Sequence, residues 1–292
     1  MSRIATIKGP AVGKCQACPA RSFGPCSQFD PDSAQAIAGR STLSRYRQGT
    51  EILSQGEPVS KVGIVVSGLV KIAMINEFGD EHVLQLLHDG ELVGDPFAAE
   101  CAFSWEAATD VELCWMTPAA LAAMLRENPS VYRGYMGVLM QQMHEQHFST
   151  ASLRGRNTLQ RLAYWLLAQT PMTSDDLKPL IRILLSRRDL ASLLDMTVET
   201  LCRVLRQLDD RKAIRLLAPD LVQVTDIVRL RILAKDHDED VHSALVHHLP
   251  GHSAAAAQGQ PAPVHDPNWK GAALEHDPDA GPRAATLCQL RG

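Results

Sequence analysis

Short apolar runs rich in branched residues dominate the first half of the chain: Glu51-Ile52-Leu53, Val62-Gly63-Ile64-Val65-Val66, Leu69 to Ile75, and Val83 to Leu87. Gly49, Gly56, Gly68, Gly79, Gly90 and Gly94 punctuate them at roughly ten-residue intervals, as hairpins do in a compact barrel or jelly roll. Residues 40 to about 117 are therefore predicted to be strands. At Asn128-Pro129 the period changes, because a capping Asn followed by Pro at the first helical position is a helix start. Tyr132, Met136, Leu139 and Met143 then recur at spacings of four, three and four, one stripe of a helix lasting to about Leu153. Its continuation through Gln146 and His147 is polar, so two copies of this helix would pair firmly at the start and weakly further on.

From Thr158 to about Leu217 the pattern predicts a second, all-helical stretch, interrupted at Pro171 to Asp175 and at Pro179. Within it, Arg188 to Leu205 carries two apolar faces. Leu190, Leu193 and Leu194 form one, Val198, Leu201, Val204 and Leu205 the other, and Ala191 is small where two helices cross closely. Asp195 sits at the turn, a position that needs positive φ and that Asp tolerates. Thr197 can cap the second helix, which turns Glu199, Cys202, Arg203 and Arg206 outward from its N-terminal half. That is where a recognition helix meets base edges in the major groove.

Charge supports this placement. The whole chain of 292 residues has a formal net charge of -4, yet residues 151–216 hold 12 Lys/Arg against 7 Asp/Glu, a net +5 that leaves -9 elsewhere. A basic segment inside an acidic chain suits one domain that meets a polyanion. The longest apolar run, Leu162 to Ala168, is far short of a membrane span, and the N-terminus lacks a signal-peptide profile, so a cytoplasmic protein without membrane attachment is expected. From Asp236 the composition shifts. Residues 251–292 contain ten Ala and five Pro but six large apolar or Cys residues, and seven of the eleven His lie beyond residue 236. A flexible tail is predicted there. No Ser/His/Asp constellation, P-loop or dinucleotide fingerprint points to an enzyme.

Seven cysteines in such a chain are poorly suited to a disulfide framework, and clustered ones read as metal ligands. Cys15-x2-Cys18-x7-Cys26 lies in a segment with no helical or strand period. Thiolates suit zinc or iron-sulfur clusters, and spacing alone does not choose between them. A fourth thiolate is needed, with Cys114 and Cys101 as candidates.

Gly79-Asp80-Glu81, Gly90-Glu91-Leu92-Val93-Gly94, Asn157 to Ala163 and Thr197-Val198-Glu199-Thr200-Leu201-Cys202-Arg203 together resemble the CRP/FNR superfamily of bacterial transcription regulators, and within it the FNR-type branch. The resemblance runs from about Cys15 to Ile227. It implies an α+β fold: an N-terminal cyclic-nucleotide-binding-like β-roll, a long dimerisation helix and a C-terminal winged helix-turn-helix. The chain would then divide into a cluster-binding segment (1–30), a sensory roll (31–127), a dimerisation helix (128–156), a DNA-binding domain (157–235) and a tail (236–292).

The resemblance further implies an oxygen-labile 4Fe-4S cluster on Cys15, Cys18, Cys26 and Cys114, the last matching the family's fourth ligand whereas Cys101 has no counterpart. Glu199 and Arg203 match the recognition pair, Glu accepting from cytosine N4 and Arg bonding guanine O6 and N7. Cys202 replaces the usual Ser, which points to a related half-site with altered tolerance at one base. The dimer seam would be Tyr132, Met136, Leu139, Met143 and Gln146. The expected partners are double-stranded DNA, a second copy of the chain and RNA polymerase. The stretch Val93 to Glu106 lacks the Arg that holds a cyclic phosphate in other members and carries acids instead. His82 and His88 are possible haem ligands, but lone His residues in a roll are usually surface groups. A zinc- or thiol-based redox protein of the same fold is the alternative.

Overall fold

The computed structural model describes residues 5–6, 15, 18–22, 24–170 and 178–235. The expectations for residues 171–175 and for the tail with its histidines lie outside the described residues.

The strands of the roll are β1 (Ala5–Thr6), β2 (Thr42–Tyr46), β3 (Glu51–Leu53), β4 (Val62–Ser67), β5 (Val70–Ile75), β6 (Glu81–Leu87), β7 (Leu92–Val93), β8 (Ser104–Ala107) and β9 (Val111–Met116). They form two antiparallel sheets, ordered β1-β2-β9-β4-β7 and β3-β8-β5-β6. Val65, Val70, Leu87, Leu113, Trp105 and Trp115 fill the space between them, burial being the main term that holds the layers together.

Three helices attach to the roll. Helix α1 (Pro31–Arg40) is capped by Asp30, α2 (Pro118–Glu127) by Thr117, and α3 (Pro129–Leu153) by Asn128, each with Pro in the first turn. The first two were not expected from periodicity. Both are short, and their signal was the Asp-Pro and Thr-Pro pairs that precede them.

The C-terminal domain packs α4 (Thr158–Ala168), α5 (Arg187–Leu193), α6 (Val198–Asp210) and α7 (Ile227–Ala234) with a sheet ordered β10 (Leu180–Arg182), β12 (Leu221–Val224), β11 (Ile214–Ala218). The stretch 158–217 is therefore not all-helical. In β10 exposure alternates, with only Ile181 buried, and a run as short as Pro179 to Leu185 carries no period able to separate strand from helix. The strands supply the wing that the family resemblance implied. Among the described residues, no helix is long and apolar enough to cross a membrane.

A thiol pocket and a recognition helix

Cys114 lies mid-strand in β9, where exposure alternates strictly. Val111, Leu113 and Trp115 point into the roll, so Glu112, Cys114 and Met116 point to the opposite face. On that face lies the cysteine-containing segment, folded as two short 3-10 turns, Pro19–Ser22 and Pro25–Gln28. Cys15, Cys18, Cys26 and Cys114 line one pocket with Ala20, Arg21, Ile64, Met116 and Tyr135 among its walls. The lining is almost wholly apolar apart from the thiols and Arg21.

Each thiol feels this setting. Burial pushes Cys26 up to about 12, with the charges of Cys114, Cys18 and Cys15 adding to it and Arg21 opposing. Burial likewise pushes Cys114 up to about 11, against a hydrogen bond from Ser41 and with help from Cys15, Cys18 and Glu112. Cys15 and Cys18 are also raised, burial being the largest cause in both. Their shared pocket is the reason for the mutual effect, since like charges held close together raise one another's pKa. Among the described residues no three Cys, His, Asp or Glu side chains converge as ligands of a single metal ion. Cys101 is elsewhere: it is 3% exposed in the roll core, its N–H donating to the Glu57 carbonyl.

Two close approaches hold the segment in place, and neither was anticipated from sequence. Gly24 has φ 65°, and a Cβ there would meet Gly90 Cα and O at 2.6 Å. Gly134 on α3 faces the second turn, where a Cβ would meet the Pro25 carbonyl at 2.7 Å. Glycine at a helix position turned toward a loop was the available signal.

The second site is the helix-turn-helix. Ser186 caps α5, and Leu190, Ala191 and Leu194 are buried against α6. Asp195 takes φ 52°, the positive φ expected of the turn. Arg161 Nη1 donates to the Leu194 and Asp195 carbonyls and to Asp195 Oδ2, tying α4 to the turn. Thr197 caps α6 by accepting from the Thr200 N–H. Leu201, Val204, Leu205 and Leu208 are buried, whereas Thr197, Glu199, Arg203 and Arg206 are exposed and Cys202 is half-buried between the two faces. Bonds from its own N–H and from Thr197 hold the Glu199 carboxyl below its ordinary pKa, so it is an anionic acceptor at neutral pH.

On α3 the stripe divides. Tyr132, Leu139 and Met143 are exposed, joined by Met140. Met136 is half-buried against Val62, Leu121 and Tyr135, and Gln146 Nε2 donates to the Leu84 carbonyl of β6. Both therefore turn toward the chain's own roll rather than into an open seam. The reason is geometric: a 3.5-residue repeat drifts around a 3.6-residue helix, and the flanks of the stripe reach the neighbouring elements.

Two family models match the chain, a cyclic nucleotide-binding domain over residues 43–128 and a Crp-like helix-turn-helix domain over residues 160–233. The Cyclic AMP receptor protein of Thermus thermophilus is 30% identical over 192 residues, covering 65% of this chain and 86% of that protein. The Transcriptional activator protein FnrL of Cereibacter sphaeroides is 25% identical over 240 residues, 77% of this chain and 94% of that protein. Among solved structures, FixK2 from Bradyrhizobium japonicum superposes with a TM-score of 0.58 at 21% identity, covering 66% of this chain and 96% of that one. With the roll, the long helix and the helix-turn-helix in the same order and matched over nearly the full length of such relatives, the chain belongs to the CRP/FNR family, whose members are transcription regulators and not enzymes.

Proposed function

We propose that the chain is an oxygen-responsive transcription regulator. It binds a two-fold symmetric FNR-like DNA site as a dimer while Cys15, Cys18, Cys26 and Cys114 hold a 4Fe-4S cluster, and releases that site once oxygen has degraded the cluster. The observation that carries this reading is the alternation of β9, which turns Cys114 out of the core and into the pocket of the three N-terminal thiols. Four thiols in an apolar pocket are a soft donor set that fits the group. A zinc ion would draw all four sulfurs around one centre, whereas a cubane takes each thiolate on a separate iron. When bound, the cluster supplies sensitivity to oxygen.

The chain's own residues do the rest. Arg21 beside the thiols offsets their negative charge as they ionise. The segment bearing Cys26 packs on α3, so its seating bears directly on the helix whose exposed Tyr132, Leu139, Met140 and Met143 offer a face to a second copy. Glu199 and Arg203 point outward from α6 toward base edges, Glu accepting from cytosine and Arg donating to guanine. Two such helices related by a dimer axis would read a palindromic site, and RNA polymerase is the expected further partner. The lack of any Arg from Val93 to Glu106 supports a metal sensor over a cyclic-nucleotide sensor.

The test is iron, sulfide and zinc analysis of protein purified without air, with its visible absorbance followed as air is admitted. Iron with acid-labile sulfide and a chromophore that bleaches support the proposal. Colourless protein carrying zinc overturns it.

A further inference from the structure

Lys71 of β5 is a buried cation, its side chain 5% exposed, where the sensory roll meets the DNA-binding domain. Its Nζ lies 2.8 Å from Glu81 Oε1 on β6 and 3.2 Å from Glu106 Oε1 on β8, the strands flanking it in its own sheet. The third partner comes from far along the chain. Nζ donates at 2.8 Å to Oδ1 of Asp189, in α5, the first helix of the helix-turn-helix. Burial works against the ammonium, but the bonds to Asp189 and Glu81 and the charges around it raise its pKa above the ordinary lysine value. It is charged at any physiological pH, so its need for anions is permanent.

A second bond runs parallel to the first. The Val83 N–H donates to Ser192 Oγ of the same helix at 2.8 Å. Because β6 is the outer strand of its sheet, this outward N–H has no strand partner, and the hydroxyl fills the place. Leu69 and Leu86 of the roll also pack against the core of the DNA-binding domain. Asp189 serves both domains: its N–H donates to Ser186 Oγ and its Oδ2 accepts from the Ser186 hydroxyl in the cap of its own helix, while Oδ1 is given to Lys71. If the domains separated, Lys71 would keep its two roll carboxylates, while its bond to Asp189 and the Val83 bond to Ser192 would break.

We propose that Lys71 with Asp189, and Val83 with Ser192, form an interdomain latch that sets the orientation of the helix-turn-helix against the sensory roll, making Lys71 a positioning residue for operator binding. The inference rests on the DNA-binding reading but not on the identity of the metal. Lys71 acts through Asp189, without itself touching a base.

The experiment uses the full chain as Lys71→Met, Asp189→Asn and the double variant, with two readouts. One is hydrogen exchange at the Val83 amide, and the other is affinity for a labelled duplex carrying a two-fold symmetric FNR-like site. Each single variant is expected to raise Val83 exchange and to weaken operator binding by about tenfold, and the double variant is expected to do no more than the worse single one. Additive effects, or faster exchange with unchanged operator affinity, overturn the latch. If the parent protein itself fails to bind the duplex, the DNA-binding reading falls while the exchange result still tests the domain contact. Should Lys71→Met loosen the whole roll, exchange will rise in β4 and β9 as well. Ser192→Ala then decides: faster exchange confined to β6, with weaker operator binding, upholds the proposal, and no change in either refutes it.

Discussion

Gly134 and Gly137 lie three residues apart on α3 in opposite surroundings, and substituting Ala at each tests how the thiol segment is held. In a helix interior Gly→Ala is favourable by about 0.5 to 1 kcal/mol from backbone entropy. At Gly137 a Cβ meets nothing within 4 Å, so Gly137→Ala should realise that gain. At Gly134 the same Cβ meets the Pro25 carbonyl oxygen at 2.7 Å, with Gln28 Cβ and Phe29 Cε1 at 3.1 Å. The nearest atom is backbone and cannot rotate aside. Overpacking of this kind costs about 1 to 3 kcal/mol, so after the propensity gain Gly134→Ala should lose up to about 2.5 kcal/mol and be less stable than Gly137→Ala by about 1 to 3 kcal/mol. Relief is available only by lifting Pro25 to Gln28 off the helix, and Cys26 lies in that turn. Denaturant unfolding gives the stability change, and the visible absorbance of anaerobic protein held with a chelator gives the lifetime of the bound group. Gly134→Ala should shorten that lifetime while Gly137→Ala leaves it unchanged. Equal stabilisation by both substitutions would refute the packing of the thiol segment on α3.

Further outcomes follow from the same geometry. Cys114→Ala should abolish the anaerobic chromophore whereas Cys101→Ala, in the roll core, should keep it; absorbance and iron content read both. Arg203→Ala should cost about 1 to 3 kcal/mol of operator affinity and relax preference at one guanine, and Glu199→Ala should relax a different base pair, as measured on a panel of single-base operator variants. Burial, then the Glu145 charge, pushes Glu91 up to about 9, well above the ordinary glutamate value. A native carboxyl that keeps its proton longer than the unfolded one loses stability as pH rises from that ordinary value toward 9, so Glu91→Gln should flatten the fall in urea midpoint between pH 6 and pH 8. Met143→Glu, on the exposed face of α3, should shift the sedimentation of anaerobic protein from dimer to monomer.

Much of the fold was legible because local signals agreed with tertiary ones. Branched apolar runs between glycines became strands, Asn128-Pro129 started α3, and Asp195 took the positive φ its turn demanded. The helices α1 and α2 left only a capping residue before a proline, a signal too brief to register as a period. Cys114 was placed by likeness to the family; strand alternation then explains why it faces outward while Leu113 and Trp115 do not. What sequence could not supply was the meeting of distant segments. That Gly134 meets Pro25, that Gln146 reaches Leu84, and that Lys71 bonds an aspartate 118 residues away depend on how elements assemble, which no local period encodes.

The measurement that bears most directly on the central claim is operator binding as a function of oxygen exposure. Anaerobic protein is titrated onto a labelled duplex with a two-fold symmetric FNR-like site, and anisotropy and the visible chromophore are then followed together as air is admitted. The account predicts tight binding at the start and a loss of anisotropy that tracks the bleaching. Binding that persists after the chromophore has gone, or that is the same in protein never exposed to iron, would contradict it.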